Sequence, residues 1–143
     1  MESKKNSFSN SKAPAPIGPY SQAVLSGNTL YTSGQIAFNP KTMALVLDDI
    51  KTETTQVMEN MKAVLTEAGM TFENVVKTSI FISDMNNFSQ INEVYGSYFN
   101  EATAPARETV QVARLPKDVN VEISMISVRS EEWRGGEEGE IGW

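Results

Sequence analysis

Apolar positions along this chain recur every second residue, then every third or fourth, then every second again, and each change marks an element. Ala23–Leu25 and Leu30–Ala37 read as two short strands around Ser26-Gly27-Asn28, a turn sequence whose glycine and asparagine tolerate left-handed backbone. Over residues 49–68 the side chains of Ile50, Val57, Met61, Val64, Leu65 and Ala68 fall near one helical face. Gly69 stands where such a helix would end in a left-handed cap. Val75–Ile82 is dense in β-branched residues and predicts a strand. Asp84 predicts the cap of a second helix with apolar positions Phe88, Ile91, Val94, Tyr95, Tyr98 and Phe99. Two more strands are predicted at about 107–114 and 119–129. The order ββαβαββ predicts an α+β fold, a mixed sheet with two helices on one face.

The ends carry less pattern. Residues 1–12 read as a flexible leader running into the extended arm Ala13-Pro14-Ala15-Pro16, residues 13–130 as a single domain, and residues 131–143 as an acidic tail with turn-forming Gly135-Gly136 and Gly139. A domain of this size buries a core without metal or disulfide staples. No run approaches the roughly 20 apolar residues of a membrane helix, and no apolar stretch follows the basic start, which predicts a cytoplasmic protein without membrane partners. The buried-looking Met58, Met61 and Met70 read as core filler.

Charge and composition narrow the chemistry. Of the net charge of −6, the tail contributes five glutamates against one arginine, and the body has more acids than bases. Nucleic-acid binding demands a basic stripe, so no nucleic acid is expected as partner. The chain has no histidine and no cysteine, which removes the usual nucleophile–base pairs and soft-metal sites. Chemistry must run on arginine, carboxylate, hydroxyl and backbone groups. Arg107 and Glu122 are the candidates: a guanidinium fork suits a small carboxylate, and a neighbouring glutamate steers water or moves a proton. Strand alternation predicts that Val110 and Val112 point one way and Arg107, Thr109 and Gln111 the other, with Glu122 also leaving the core face. That second face, including Tyr31, Ser33, Gln35, Ile126 and Val128, predicts a subunit interface with clefts. A tight hairpin near Pro116–Lys117 would pair Glu122 with about residue 111 and leave Arg107 distant. The connection is then no simple hairpin, or the ligand spans the gap, or the groups meet across a subunit boundary.

Several blocks in unbroken order resemble the YjgF/RidA family: Ala15-Pro16-Ile17-Gly18-Pro19-Tyr20-Ser21-Gln22-Ala23, Thr32-Ser33-Gly34-Gln35-Ile36, Asn92-Glu93-Val94-Tyr95, Pro105-Ala106-Arg107 through Leu115-Pro116-Lys117, and Val121-Glu122-Ile123. The resemblance spans about residues 13–129. It implies a chorismate-mutase-like fold, a homotrimer whose sheets form a central barrel, and active clefts between subunits. It further implies deamination of 2-iminopropanoate and 2-iminobutanoate, or their enamines, to 2-oxo acids and ammonia without metal or cofactor. Residue by residue, Arg107 matches the arginine that grips the substrate carboxylate and Glu122 the glutamate that orients water. Ser33 and Gly34 match the pocket wall, and Tyr20 and Asn92 match polar lining.

Many relatives carry Ser-Cys after the arginine, where this chain has Glu108-Thr109. Thr109 would give the pocket a branched hydroxyl, and Glu108, on the Val110 face, must find solvent or a partner. Each candidate has a plainer reading: Arg107 as a surface ion pair, Glu122 as a solvated strand residue, Gly34 as a bulge, Tyr20 as packing, Asn92 as local hydrogen bonding. A competing function is a non-catalytic or regulatory protein that binds small carboxylates in the same cleft.

Overall fold

Backbone hydrogen bonding sorts the chain into β1 (Lys5–Phe8), β2 (Ala23–Ser26), β3 (Thr29–Thr32), α1 (Ile50–Glu67), β4 (Val75–Ile82), α2 (Phe88–Gly96), β5 (Ala106–Gln111) and β6 (Val121–Val128). The structure is a computed structural model and describes residues 5–8, 12–16 and 20–129. Apart from β1, the elements follow the predicted ββαβαββ order. They form a six-stranded mixed sheet in the order β1-β2-β3-β6-β4-β5, in which only β4 and β5 are parallel.

Part of the predicted flexible leader forms a strand. Lys5–Phe8 pairs antiparallel with β2, satisfying an edge that would otherwise stay open, and Phe8 packs against the core. The acidic tail and the remaining leader positions (1–4 and 9–11) lie outside the described residues.

Local chemistry explains the boundaries. Gly27, at φ 62°, and Asn28 close the β2–β3 turn between Ser26 and Thr29. Asp49 caps α1 by accepting from the Thr52 N–H at 2.8 Å. Gly69, at φ 74°, ends that helix in the left-handed cap its position predicts, with Met70 N–H bonded to Leu65 C=O at 2.9 Å. Asp84 caps a single tight turn, Met85–Asn87, that leads into α2. α2 ends at Gly96, so Tyr98 and Phe99 pack against the core from beyond it.

Both helices lie on one face of the sheet. Thr78, Ile80 and Ile82 of β4 stand level with Met125, Ile123 and Val121 of β6, and all six side chains are buried. Val57, Met58, Met61, Val64 and Leu65 of α1 and Ile91 of α2 complete this core, with Met70 below α1. The other face carries Tyr31, Lys77, Ser79, Phe81, Val110, Glu122, Ser124, Ile126 and Val128, and among the described residues no helix covers it. Among the described residues, no helix is long and apolar enough to cross a membrane.

Candidate functional site

β5 runs parallel to β4, and β4 separates it from β6, so no hairpin joins β5 to β6. This register corrects the predicted facing of β5. Arg107 stands level with the buried Thr78, Thr109 with Ile80 and Gln111 with Ile82, which turns all three towards the helices. Val110 stands level with Phe81 on the uncovered face and is 43% exposed. β5 is an edge strand, exposed along nearly its whole length, so its valines report neither face as core. Arg107 and Glu122 therefore lie on opposite faces of one protomer's sheet.

On the helix side, α2 presents Phe88, Asn92 and Tyr95, spaced to share one helical face, to the arginine. The guanidinium carbon lies 5.6 Å from the Phe88 ring centre and 5.2 Å from that of Tyr95, within cation–π range. One terminal nitrogen donates to Asn92 Oδ1 at 2.5 Å. Tyr95 is fixed from below, its hydroxyl donating to Thr78 Oγ1 at 3.0 Å; burial raises its pKa and keeps that proton in place. The guanidinium is thus aimed by two rings and an amide while part of its donor fork stays open to a ligand. Thr109 Oγ1 is buried with no hydrogen-bond partner among the described residues, leaving a hydroxyl that a ligand or a second chain could satisfy.

On the other side, Tyr20, Ser33, Gly34, Phe38, Lys117 and Glu122 line part of a cavity of about 480 Å³. Ser33 is committed to the scaffold: its N–H donates to Gln22 C=O at 2.9 Å and its hydroxyl to Ser21 C=O at 2.6 Å. Gln35 N–H bonds to Ile123 C=O at 2.8 Å, bridging this segment to β6. Between them, the Gly34 N–H makes no hydrogen bond among the described residues and remains a donor for a ligand. A Cβ on residue 34 would lie 2.8 Å from Glu122 Cδ and overlap its carboxylate, so a side chain there would displace the glutamate. Burial raises the Glu122 pKa, and its carboxylate makes no hydrogen bond among the described residues. That group can hold a proton nearer to neutrality than a solvated glutamate. Tyr20, 49% exposed, stands at the rim.

The predicted residues thus fall into two groups: Arg107, Asn92 and Thr109 on the helix side, and Tyr20, Ser33, Gly34 and Glu122 around the cavity. Sequence reasoning missed the Phe88–Tyr95 platform, because both aromatics fit the apolar stripe of α2. It also passed over Lys117, which lines the cavity at φ 58° with Asp118 following at φ 56°, two non-glycine residues in left-handed backbone. Glu108 does find partners on the uncovered face: Ser79 Oγ donates to it at 2.6 Å and Lys77 Nζ lies 3.1 Å away. These hydrogen bonds, from Ser79 first and then Lys77, hold its pKa below the ordinary carboxylate value. Among the described residues, no group of three or more carboxylates could hold a metal ion.

Comparison with known proteins adds an independent line. The sequence matches the protein family described as "Endoribonuclease L-PSP" over residues 10–129. A "RutC family protein" of Synechocystis is 53% identical over 118 residues, 82% of this chain and 91% of that protein. A "2-iminobutanoate/2-iminopropanoate deaminase" of Salmonella typhimurium is 49% identical over 119 residues, 82% of this chain and 92% of the relative. A crystal structure from Yersinia pestis, described as a protein of unknown function of the conserved Rid family, superposes with a TM-score of 0.85 at 48% identity. That superposition covers 88% of this chain and all of the other.

Proposed function

The chain belongs to the Endoribonuclease L-PSP family, which includes the Rid proteins it resembles, and from that membership we propose that it hydrolyses reactive 2-imino and enamine acids. The substrates are 2-iminopropanoate, 2-iminobutanoate and their enamine tautomers, and the products are 2-oxo acids and ammonia. The reaction uses no metal or cofactor and takes place in the cytoplasm. The working assembly is a homotrimer, each cleft taking Arg107, Asn92 and Thr109 from one subunit and Glu122, Gly34, Ser33 and Tyr20 from another.

The observation that carries this reading is the separation of two incomplete half-sites on opposite faces of one sheet. Arg107 sits on an edge strand, where a second chain has access, and Glu122 sits on the face that the helices leave bare. The apolar side chains there (Tyr31, Val110, Ile126 and Val128) suit contact with further copies. One copy offers a fork for a carboxylate, and the other offers a desolvated carboxyl group and an open backbone N–H.

The chemistry follows from these groups. Arg107 binds the substrate carboxylate and places the imine carbon beside Glu122. Glu122 takes a proton from water as the oxygen bonds to that carbon and the C=N electrons move to nitrogen. The same proton then goes to the amine, and as the C–N bond breaks Glu122, again a carboxylate, takes the hydroxyl proton, leaving the C=O and ammonia. An enamine first gains a proton at its terminal carbon and becomes the protonated imine. A protonated imine is already electrophilic, so orienting one water against a fixed carbon supplies much of the rate. The identity to a relative named as an imine deaminase supports the substrate class.

The test couples the purified protein to a pyridoxal-phosphate dehydratase that generates the imine, and follows ammonia release. Wild type accelerates release and Arg107→Ala abolishes the acceleration; an unchanged Arg107→Ala rejects the assignment. A non-catalytic carboxylate binder would show no turnover even in wild type, while binding 2-oxo acid. The family's name raises RNA as an alternative substrate; the acidic body opposes it, and RNA binding in a salt titration would favour it.

A further inference from the structure

The Glu122 carboxylate makes no hydrogen bond among the described residues, so its place depends on the backbone that carries it. That backbone is anchored two residues earlier. Asn120 donates twice to Glu53 of α1, from its N–H to Oε2 and from Nδ2 to Oε1, both at 2.8 Å. Its remaining groups bind β4's end: Ser83 N–H donates to Asn120 C=O at 3.1 Å, and Ser83 Oγ to Asn120 Oδ1 at 3.2 Å. Each polar group of Asn120 is therefore used, and Val121 enters the sheet directly afterwards.

Glu53 is 0% exposed and forms no ion pair among the described residues. A buried carboxylate without a cation is costly, and here the two Asn120 donors are what offset that cost. We propose that Glu53 is a positioning residue for Glu122, acting through Asn120. The two-point bond fixes where β6 begins and how it is rotated about its axis, which sets Glu122 against Gly34. It also ties down the connection from Leu115 to Asn120, whose left-handed Lys117 lies on the cavity wall. The helix layer on one face thus orients a carboxylate that works on the other.

The kinetic part of this inference rests on the deaminase reading, so the experiment carries a readout that does not. Glu53→Gln leaves one acceptor facing two Asn120 donors, and Asn120→Asp sets two carboxylates together. The exchange variant E53Q/N120D restores both bonds: the residue-120 N–H still donates to the side chain at 53, the side-chain bond runs in the reverse direction, and Ser83 can still donate to the aspartate. In the coupled assay each single change should lower kcat about 10- to 100-fold with KM within about twofold, as for other residues that orient a reacting group. The exchange variant should recover most of that loss. In parallel, the carbon-13 signal of the Glu122 side-chain carboxyl should shift in the single variants and return in the exchange variant. If wild type releases no ammonia, the deaminase reading fails, and the carboxyl signal alone decides the positioning role. Loss confined to KM, an exchange variant no better than the single ones, or an unmoved Glu122 signal would overturn it. Should E53Q not fold, N120D against the exchange variant gives the same comparison.

Discussion

Glu122 fills the space that any side chain at residue 34 would need. Gly34 is not left-handed, so backbone strain plays no part; the demand is one of volume alone. Gly34→Ala would push the end of a flexible side chain aside and leave the surrounding backbone in place. We expect stability to change by less than about 1 kcal/mol, and kcat to fall at least about 10-fold as the carboxylate loses its aim. Thermal melting beside the imine assay separates the two effects. A variant that melts and turns over like wild type would break the link between this glycine and catalysis.

Glu122 also has a pH signature. Burial raises its folded pKa above the ordinary 4.5, so the folded state binds this proton more tightly than the unfolded state. Its contribution to stability is therefore complete below the unfolded value and is lost as pH rises through the folded value. Glu122→Gln removes the effect, so the melting temperature of wild type relative to that variant should rise as pH is lowered through this window. A difference independent of pH would show that the carboxyl is not desolvated. On the same basis, kcat/KM should fall on the acid side at a midpoint above 4.5, where the general base becomes protonated.

Arg107 tests the difference between charge and shape. Lysine keeps the charge, but it loses the fork and the planar stacking on Phe88 and Tyr95. Arg107→Lys should lower kcat/KM about 10- to 100-fold, the worth of one strong charged hydrogen bond. Asn92→Ala, which removes one orienting bond and leaves the rings, should cost less. Equal activity for the lysine variant would mean that a point charge is sufficient.

The helices and the central strands were legible because their burial is one-sided. α1 shows its stripe and its Gly69 stop, and β4 from Lys77 and β6 as far as Ser127 alternate between buried and half-buried residues. β5 was not legible in the same way. It is an edge strand, and neither of its faces is fully covered, so Val110 and Arg107 carried no periodic clue to their sides. The candidate residues stood out in sequence as motifs, whereas their division between two faces follows from β4 inserting between β5 and β6. Local pattern cannot express that crossover, because it depends on pairing between strands distant in the chain. β1 was hidden for a related reason: four residues of mixed polarity become a strand only when a partner edge is present.

A site shared between copies makes a prediction that a site within one chain cannot satisfy. Arg107→Ala damages the half-site on the edge strand, and Glu122→Gln the half-site on the bare face, so homo-oligomers of either should be inactive. Mixed together, the variants form some clefts that take the intact arginine from one chain and the intact glutamate from the other. With random assembly and one half-site from each neighbour, roughly a quarter of the clefts should be whole, and activity should return to about that fraction of wild type. The mixture should be unfolded and refolded together, because subunits that do not exchange would mask the effect. Ammonia release in the imine assay then reads the fraction directly, and a control refolded separately and combined afterwards should stay inactive. Activity that never exceeds that control, from chains shown to co-assemble, would mean that Arg107 and Glu122 do not serve one cleft.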